Sequence, residues 1–419
     1  MRNLEAVELG LREALFKDGR HLLQQLYQQP KGSVPGDIGQ PGEKCHRVRT
    51  KQIHTLFGPV VLQRRYYYCP QRGQGRAPLD EALGLVNSFS PALVRLSARA
   101  AAQQGYEAAS EDLRALAAVA IEGRQIQRLV NRIAPRVAVQ LQESSPESAD
   151  PIAVMYVAAD GTGVPMVADE LAGRKGKQPD GSAKTREAKL GCVFTQTRVD
   201  EHGQPMRDYQ STTYVGNFET ARDFGVQLRA EALRRGLGRA KQIVFLGDGA
   251  AWVWEIAQDC FGGAIQILDL YHALERLHKL CEGLYGASGP WAQKMEKQWT
   301  QRLREDAIAE VIVSARRRLE SLGGRAEESL AKQIAYFEHH QGRMLYKTYQ
   351  EQGLFYGSGV VEAGCKSVIG QRLKESGMFW TETGATRVLH LRCALKGNRW
   401  DECWDRLNQS DYLRIRVAA

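Results

Sequence analysis

Ile152-Ala-Val-Met-Tyr-Val-Ala-Ala-Asp160, followed by Gly161-Thr-Gly163, is the stretch from which the rest of the chain is read. An unbroken apolar run of this length reads as a strand buried on both faces. A carboxylate directly past it stands at the sheet's edge, where it is solvated and still held rigid. A second run, Ile243-Val-Phe-Leu246, leads in the same way into Gly247-Asp248-Gly249. A third acid, Glu362, opens a later helical pattern in Tyr356-Gly-Ser-Gly-Val-Val-Glu-Ala-Gly-Cys-Lys366. Magnesium and manganese take oxygen ligands, and two such ions clamp the attacking and leaving oxygens of a phosphodiester displacement. Asp160, Asp248 and Glu362 are therefore the candidate catalytic and metal-binding residues, for two Mg2+ or Mn2+ ions.

Element order supports that reading. Residues 189–198 and 209–215 supply two more strands, and a helix over 218–235 precedes the strand 242–246. A helix with Trp252 and Trp254 and a strand over 264–268 follow. Three strands, a helix, a strand, a helix and a strand form the order of an RNase H-like α/β domain. Residues 273–350 are polar, charged and helical, and read as an all-helical insertion. The expected division is 1–150, 151–272, 273–350 and 351–419, the last returning to the catalytic core. Singly, each acid has a plainer explanation. Asp160-Gly161 and Asp248-Gly249 are turn pairs, and Glu362 closes a capping box if Gly359 caps its helix. Asp269-Leu-Tyr-His272 follows the last strand, with Asp269 an alternative metal ligand or a helix N-cap and His272 a possible orienting group. Lys366, Arg372 and Lys374 lie on or beyond the Glu362 helix as candidates for DNA phosphates, or as a solvated basic face. The basic loop 173–186 lies beside the site.

The N-terminal part reads as an α+β DNA-binding region. Leu4, Val7, Leu11, Leu15, Leu22, Leu23 and Leu26 fall near helical spacing, and a Gly- and Pro-rich stretch from Pro30 to Pro41 reads as a linker. Two strands, 47–57 and 60–68, meet at a Gly58-Pro59 turn in a hairpin crowded with Arg and Tyr. Cys45 and Cys69 flank it. One thiol at each end falls short of two Cys-x-x-Cys pairs, so zinc is not expected. Residues 90–140 read as wholly helical from Ser90-Pro91. A helix over 106–120, a turn at 121–123 and a helix over 124–133 have the form of a helix-turn-helix, with Arg124, Gln125 and Arg128 placed to face a DNA groove. A plain helical hairpin is the competing reading. Residues 144–151 read as a second linker.

The chain has 419 residues, a formal net charge of +9 and eight cysteines without paired spacing. The length favours more than one core, the charge an anionic partner, and the cysteines a reduced compartment. No apolar run approaches the roughly 20 residues of a membrane span, so the protein is expected to be soluble and cytoplasmic.

Taken together, Val157-Ala-Ala-Asp-Gly-Thr-Gly-Val-Pro-Met166, Leu246-Gly-Asp-Gly-Ala-Ala-Trp-Val-Trp254, Asp269-Leu-Tyr-His272 and the Gly357–Lys366 segment resemble bacterial insertion-sequence transposases of the ISKra group, relatives of Mutator-like DDE transposases. Gln371-Arg-Leu-Lys-Glu-Ser-Gly-Met-Phe-Trp380, Gly384-Ala385, Leu391-Arg392 and Ala77-Pro-Leu-Asp-Glu81 extend the resemblance. It implies a DDE triad of Asp160, Asp248 and Glu362, with Asp269 and His272 matching a C/D-x-x-H motif. It also implies binding of double-stranded DNA at terminal inverted repeats, and a homodimer or higher assembly on DNA. Relatives carry paired cysteines near the hairpin, which this chain lacks. An RNase H-like endonuclease or resolvase, or a non-catalytic DNA-binding derivative, would share most of these features.

Overall fold

The computed structural model describes residues 3–27, 39–143, 151–176, 178–179, 181–286, 289–322 and 327–408. The linkers expected at 30–41 and 144–151 fall largely outside them. The chain divides into two compact units. The first holds residues 1–141 together with His390–Leu395 and the chain from Arg399, and the second holds Gln142–Leu389 and Lys396–Asn398. Contacts thus group the last helical segments with the N-terminal unit, whereas 351–419 was expected to follow the catalytic core throughout.

In the first unit, helix α1 (Leu4–Tyr27) precedes strands β1 (Lys44–Thr55), β2 (Gly58–Cys69) and β3 (Gln74–Arg76), which form one antiparallel sheet. The hairpin turn is Leu56-Phe57, not Gly58-Pro59, because Thr55 pairs with Gly58. Thr55 Oγ1 closes that turn by donating to Gly58 O at 2.7 Å and accepting from Phe57 N at 3.2 Å. Helices α2 (Pro78–Ala82), α3 (Pro91–Gln103), α4 (Tyr106–Ala117) and α5 (Gly123–Glu143) follow. Ser90 caps α3 through its hydroxyl, with proline in the first turn. Helix α4 stops at Ala117, earlier than expected, because Ala118 turns left-handed at φ 54°. Helix α5 runs past the expected end at Ile133 and through Pro135. Ile133, Ala134 and Val137 are all buried on its inner face, and that burial offsets the roughly 3 kcal/mol that an internal proline costs.

The second unit is built on a five-stranded mixed sheet of β4 (Ile152–Pro165), β5 (Thr185–Gln196), β8 (Thr213–Asn217), β9 (Ala240–Gly247) and β10 (Ile265–Leu268) in the order β10-β9-β4-β5-β8. Strands β4, β5 and β8 pair antiparallel, while β9 runs parallel to β4 and β10 parallel to β9. Two-residue strands β6 (Arg198–Val199) and β7 (Pro205–Met206) form a ribbon between β5 and β8. Helix α6 (Ala221–Arg234) leads into β9, and α7 (Ala251–Cys260) joins β9 to β10. The run Met155–Ala159 is buried, as are Val244, Phe245 and Leu246. The fold class is therefore mixed α/β.

After β10 the chain is helical: α8 (Leu270–Tyr285), α9 (Pro290–Arg304), α10 (Ile308–Glu320), α11 (Glu327–His340) and α12 (Tyr346–Glu351). Leu277, Leu280 and Leu284 of α8, Trp299 and Leu303 of α9 and Phe337 of α11 join the sheet's core as one apolar cluster. The polar composition of this segment lies on its outer faces. A short helix α13 (Gly359–Gly364) passes into a π-helical turn (Cys365–Gly370) and α14 (Gln371–Leu373), then α15 (Glu382–Lys396) and, in the first unit, α16 (Trp400–Leu407).

Phe245 lies at the centre of the sheet core, with ring centroids 5.3 Å from Phe261 and 6.5 Å from Trp254. Phe245→Ala is expected to destabilise the second unit by about 3–5 kcal/mol, read as a lowered urea midpoint.

Candidate functional site

Strand register builds one end of the site. Ala158 of β4 pairs with Leu246 of β9 as the last rung of their parallel ladder. Asp160 and Asp248 each follow that rung by two residues. Leu268 of β10 pairs with Gly247, and Asp269 comes next, its N–H donating to Gly247 O at 2.8 Å. Three aspartates thus stand at the carboxyl edge of three adjacent parallel strands, the edge where open α/β sheets place their sites.

Asp160 does not end its strand. β4 continues to Pro165, still paired with β5, and Asp160 itself faces Leu190. Neither a turn nor a strand terminus is present there. Gly161 and Gly163 allow this continuation, because a Cβ at either would meet Glu187 or Thr185 at 2.5–2.7 Å. Asp248 does lie in a turn. Gly249 adopts φ +98°, and Asp248 Oδ1 accepts from Ala250 N at 3.0 Å.

Glu362 comes from α13. Its cap is Ser358, not Gly359, and Ser358 Oγ donates to Glu362 Oε1 at 2.6 Å. The same serine's N–H donates to Asp269 Oδ2 at 2.5 Å. Asp269 is fully buried and caps α8 by accepting from His272 N at 2.7 Å. The His272 ring lies with Nδ1 3.1 Å from Asp269 Oδ1 and 3.9 Å from Glu362 Oε1. One ligand atom from each of Asp269, His272 and Glu362 fits within a 4.8 Å cluster.

Electrostatics tie Asp160 and Asp248 to this group. Burial pushes the Asp160 carboxyl above the ordinary range, and the charges of Asp248 and Glu362 push it further. Hydrogen bonds from the Cys365 thiol and Gly161 N–H oppose that rise only in part. For Asp269, burial raises the carboxyl, but hydrogen bonds from His272 and Ser358 outweigh it and leave it below the usual value. His272 is held above its usual value, first by its hydrogen bond to Asp269 and then by the charges of Asp269, Asp248 and Glu362. Among the described residues no lysine or arginine forms an ion pair with Asp160, Asp248 or Glu362; Glu362 has only the longer approach of His272. An all-oxygen set of uncompensated acids with an imidazole beside it matches the donor chemistry of a hard divalent cation.

The basic candidates divide. Lys374 reaches the site and donates through Nζ to Thr162 Oγ1, on the strand that carries Asp160. Lys366 is exposed on the π-helical turn. Arg372 does not fit the expected phosphate contact. It is fully buried, with its guanidinium 5.1 Å from the Trp380 ring centroid and Nη1 3.2 Å from Met378 Sδ. In the first unit Arg124 and Arg128 are exposed on α5. Gln125 instead accepts from Glu122 N through Oε1 at 3.1 Å, closing the start of its own helix. Arg64 of the hairpin is held by Asp80 at 2.7 Å. Cys45 is exposed, and Cys69 is buried with Arg72 Nε 3.4 Å from its sulfur.

Sequence reasoning missed three contributors. Ser358 lay inside a quoted motif but read as part of a glycine turn. Cys365, on the π-helical turn, bonds Asp160. Tyr336 of α11 donates to Asp248 O at 3.4 Å, and its hydroxyl occupies the space a Cβ on Gly249 would need. Nothing in the pattern of α11 announces that contact.

In metal-free protein, Asp269→Asn is expected to lower the titration midpoint of His272, because it removes the charge and the acceptor that favour the imidazolium. The His272 ring-proton shift followed by NMR against pH checks this. An unchanged midpoint would assign the effect to Asp248 and Glu362 instead.

Residues 4–405 match the sequence profile of a family described as Uncharacterised protein family (UPF0236). A search of curated proteins finds no match. Among solved structures, the Drosophila P element transposase strand transfer complex aligns at 10% identity over 78% of this chain and 82% of that chain, with a TM-score of 0.28. No helix among the described residues is long and apolar enough to cross a membrane. On the match over residues 4–405, the chain belongs to the uncharacterised protein family UPF0236.

Proposed function

We propose that this protein is a DDE transposase of an insertion sequence, with an RNase H-like catalytic unit that cleaves transposon ends and joins them to target DNA. The observation that carries the reading is the shared rung: Asp160 and Asp248 lie two residues past the Ala158–Leu246 pair, on neighbouring parallel strands. Glu362 arrives from a helix after a long helical segment and adds to the same field. The sheet order and strand directions agree with the RNase H-like element order. The ISKra-like motifs fall on the residues that line this edge.

Asp160, Asp248 and Glu362 would hold two Mg2+ or Mn2+ ions, with Asp269 and His272 beside them as accessory groups. When bound, such ions supply Lewis-acid stabilisation of the attacking and leaving oxygens in an in-line displacement. The chain's own part is positional. Ser358 fixes Glu362 and Asp269 against each other, Tyr336 restrains the Asp248 turn, and Cys365 restrains Asp160. Lys374, beside Thr162, is placed to hold a backbone phosphate next to the acids. In the first reaction a water oxygen attacks phosphorus, and the bond to the 3′ oxygen at the transposon end breaks. In the second, that 3′-hydroxyl oxygen forms a new bond to a target phosphorus, and a target 3′-hydroxyl leaves. Neither step needs a covalent bond to protein. Two ends must be brought together, so the working form is a homodimer or larger assembly on double-stranded DNA.

Asp160→Asn, Asp248→Asn and Glu362→Gln each remove one anionic ligand with little change in volume. Each is expected to reduce end cleavage and strand transfer by at least about 100-fold, while circular dichroism and end binding stay unchanged. An assay with a pre-cut 3′-hydroxyl donor separates a transposase from a nuclease: products cut but never joined would reject the strand-transfer reading. Near-normal joining by Glu362→Gln would move the third ligand to Asp269.

Recognition is assigned to the first unit. Arg124→Ala and Arg128→Ala are expected to weaken binding to end DNA and to lower the salt dependence of log K by about one per lost phosphate contact. Gln125→Ala should act mainly on the start of α5. Unchanged affinity, salt slope and sequence preference in the double arginine variant would make the α4–α5 pair scaffold, and binding would then be sought on the Arg- and Tyr-rich hairpin.

A further inference from the structure

Helix α1 carries apolar side chains on two opposite faces, and only one of them has a partner. Its inner face is tied to the first unit. Phe16 meets Phe57 with ring centroids 5.9 Å apart. Gln24 exchanges two hydrogen bonds with Val61, each 2.7 Å, and Arg12 Nη2 donates to Leu116 O at 2.7 Å. Leu4, Val7, Leu11, Leu15, Leu22 and Leu26 form the outer face, each between 49% and 71% exposed. No residue of this 24-residue helix is buried. An isolated exposed leucine needs no explanation, but a stripe repeating at three- and four-residue intervals along a whole helix marks a docking surface.

We infer that this stripe docks against the same stripe of a second copy of the chain, as an antiparallel helix pair centred on Leu15. The charge pattern selects both the occupant and its direction. Glu5, Glu8 and Glu13 outnumber Arg12 in the first half of the helix, whereas Lys17 and Arg20, with His21, outnumber Asp18 in the second. An antiparallel copy sets the acidic half along the basic half. A parallel copy in register places like halves together and sets Asp18, which falls within the stripe, against its own copy. Centring on Leu15 brings Leu4 opposite Leu26 and places Asp18 near Arg12, whose present acceptor is an uncharged carbonyl. Such a surface is self-complementary, so pairing closes at two copies and leaves no open chain of subunits. A seam of two helices about 36 Å long is at the small end of specific interfaces, so the pair is expected to dissociate on dilution. This inference concerns the first unit alone and holds whether or not the acidic site is catalytic.

Sedimentation of the full chain without DNA, over a wide concentration range, is expected to show a monomer–dimer equilibrium. Leu11→Glu combined with Leu15→Glu should weaken that equilibrium by at least roughly tenfold, with the helical signal and the unfolding midpoint preserved because both side chains are exposed. Cross-linking supplies the direction. In a Cys45→Ser background, Leu15→Cys should oxidise to a covalent dimer. Leu4→Cys should cross-link to Leu26→Cys when the two variants are mixed, but not to itself. A wild-type chain that stays monomeric at every concentration would overturn the inference, as would a double glutamate variant that dimerises as tightly as wild type. Leu4→Cys self-cross-linking would overturn the antiparallel arrangement.

Discussion

The parallel pairing of β4, β9 and β10 is the constraint on which the site depends. Hydrogen-bonded rungs fix strand offsets to the residue, and a slip by one would turn every side chain to the opposite face. With Ala158 held against Leu246 and Leu268 against Gly247, Asp160, Asp248 and Asp269 must emerge along one edge. Buried apolar side chains on both faces of the sheet enforce that register, so the geometry of the acids is stabilised by residues that take no part in chemistry. Like charges at that edge would relax apart on flexible loops. Here each aspartate is at or next to a strand, and the energy of their crowding appears instead as the raised affinity of Asp160 for a proton.

Asp269 and Ser358 carry that order from the sheet to the last element of the site. A buried carboxylate is costly unless its oxygens are satisfied, and both oxygens of Asp269 are. One takes bonds from His272, the other the N–H of Ser358. Ser358 then reaches Glu362 through its hydroxyl. A segment distant in sequence is thereby attached to the β10 edge by charge-assisted bonds, and the position of Glu362 follows from the burial of Asp269. Helix α13 alone, at six residues, is too short to be stable by itself.

How far the sequence discloses this depends on whether a residue's role is local. The two apolar runs and the acids behind them were legible because burial of a parallel strand demands continuous apolar residues. The continuation of β4 beyond Asp160 was not, since Asp-Gly-Thr-Gly is good turn chemistry and only the pairing with β5 keeps it extended. Arg372 read as a solvated cation because polarity is visible and burial is not; the Trp380 ring beneath it comes from another segment. Gln125 looked free to contact a base, yet the N–H of Glu122 lies within reach and uses it. Leu56-Phe57 replaced Gly58-Pro59 as the hairpin turn because a threonine hydroxyl closed the tighter loop.

Helix α1 shows the same limit from the opposite side. Its leucine spacing is that of an amphipathic helix, and periodicity says that the stripe is to be covered without saying by what. Within one chain the natural cover is the domain's own core, but the first unit takes the other face, through Phe16 and Gln24. A helix apolar on two faces is stable in water only as a layer between two partners. The first unit is one of them, and the surface that remains has the length, spacing and charge polarity to be its own complement.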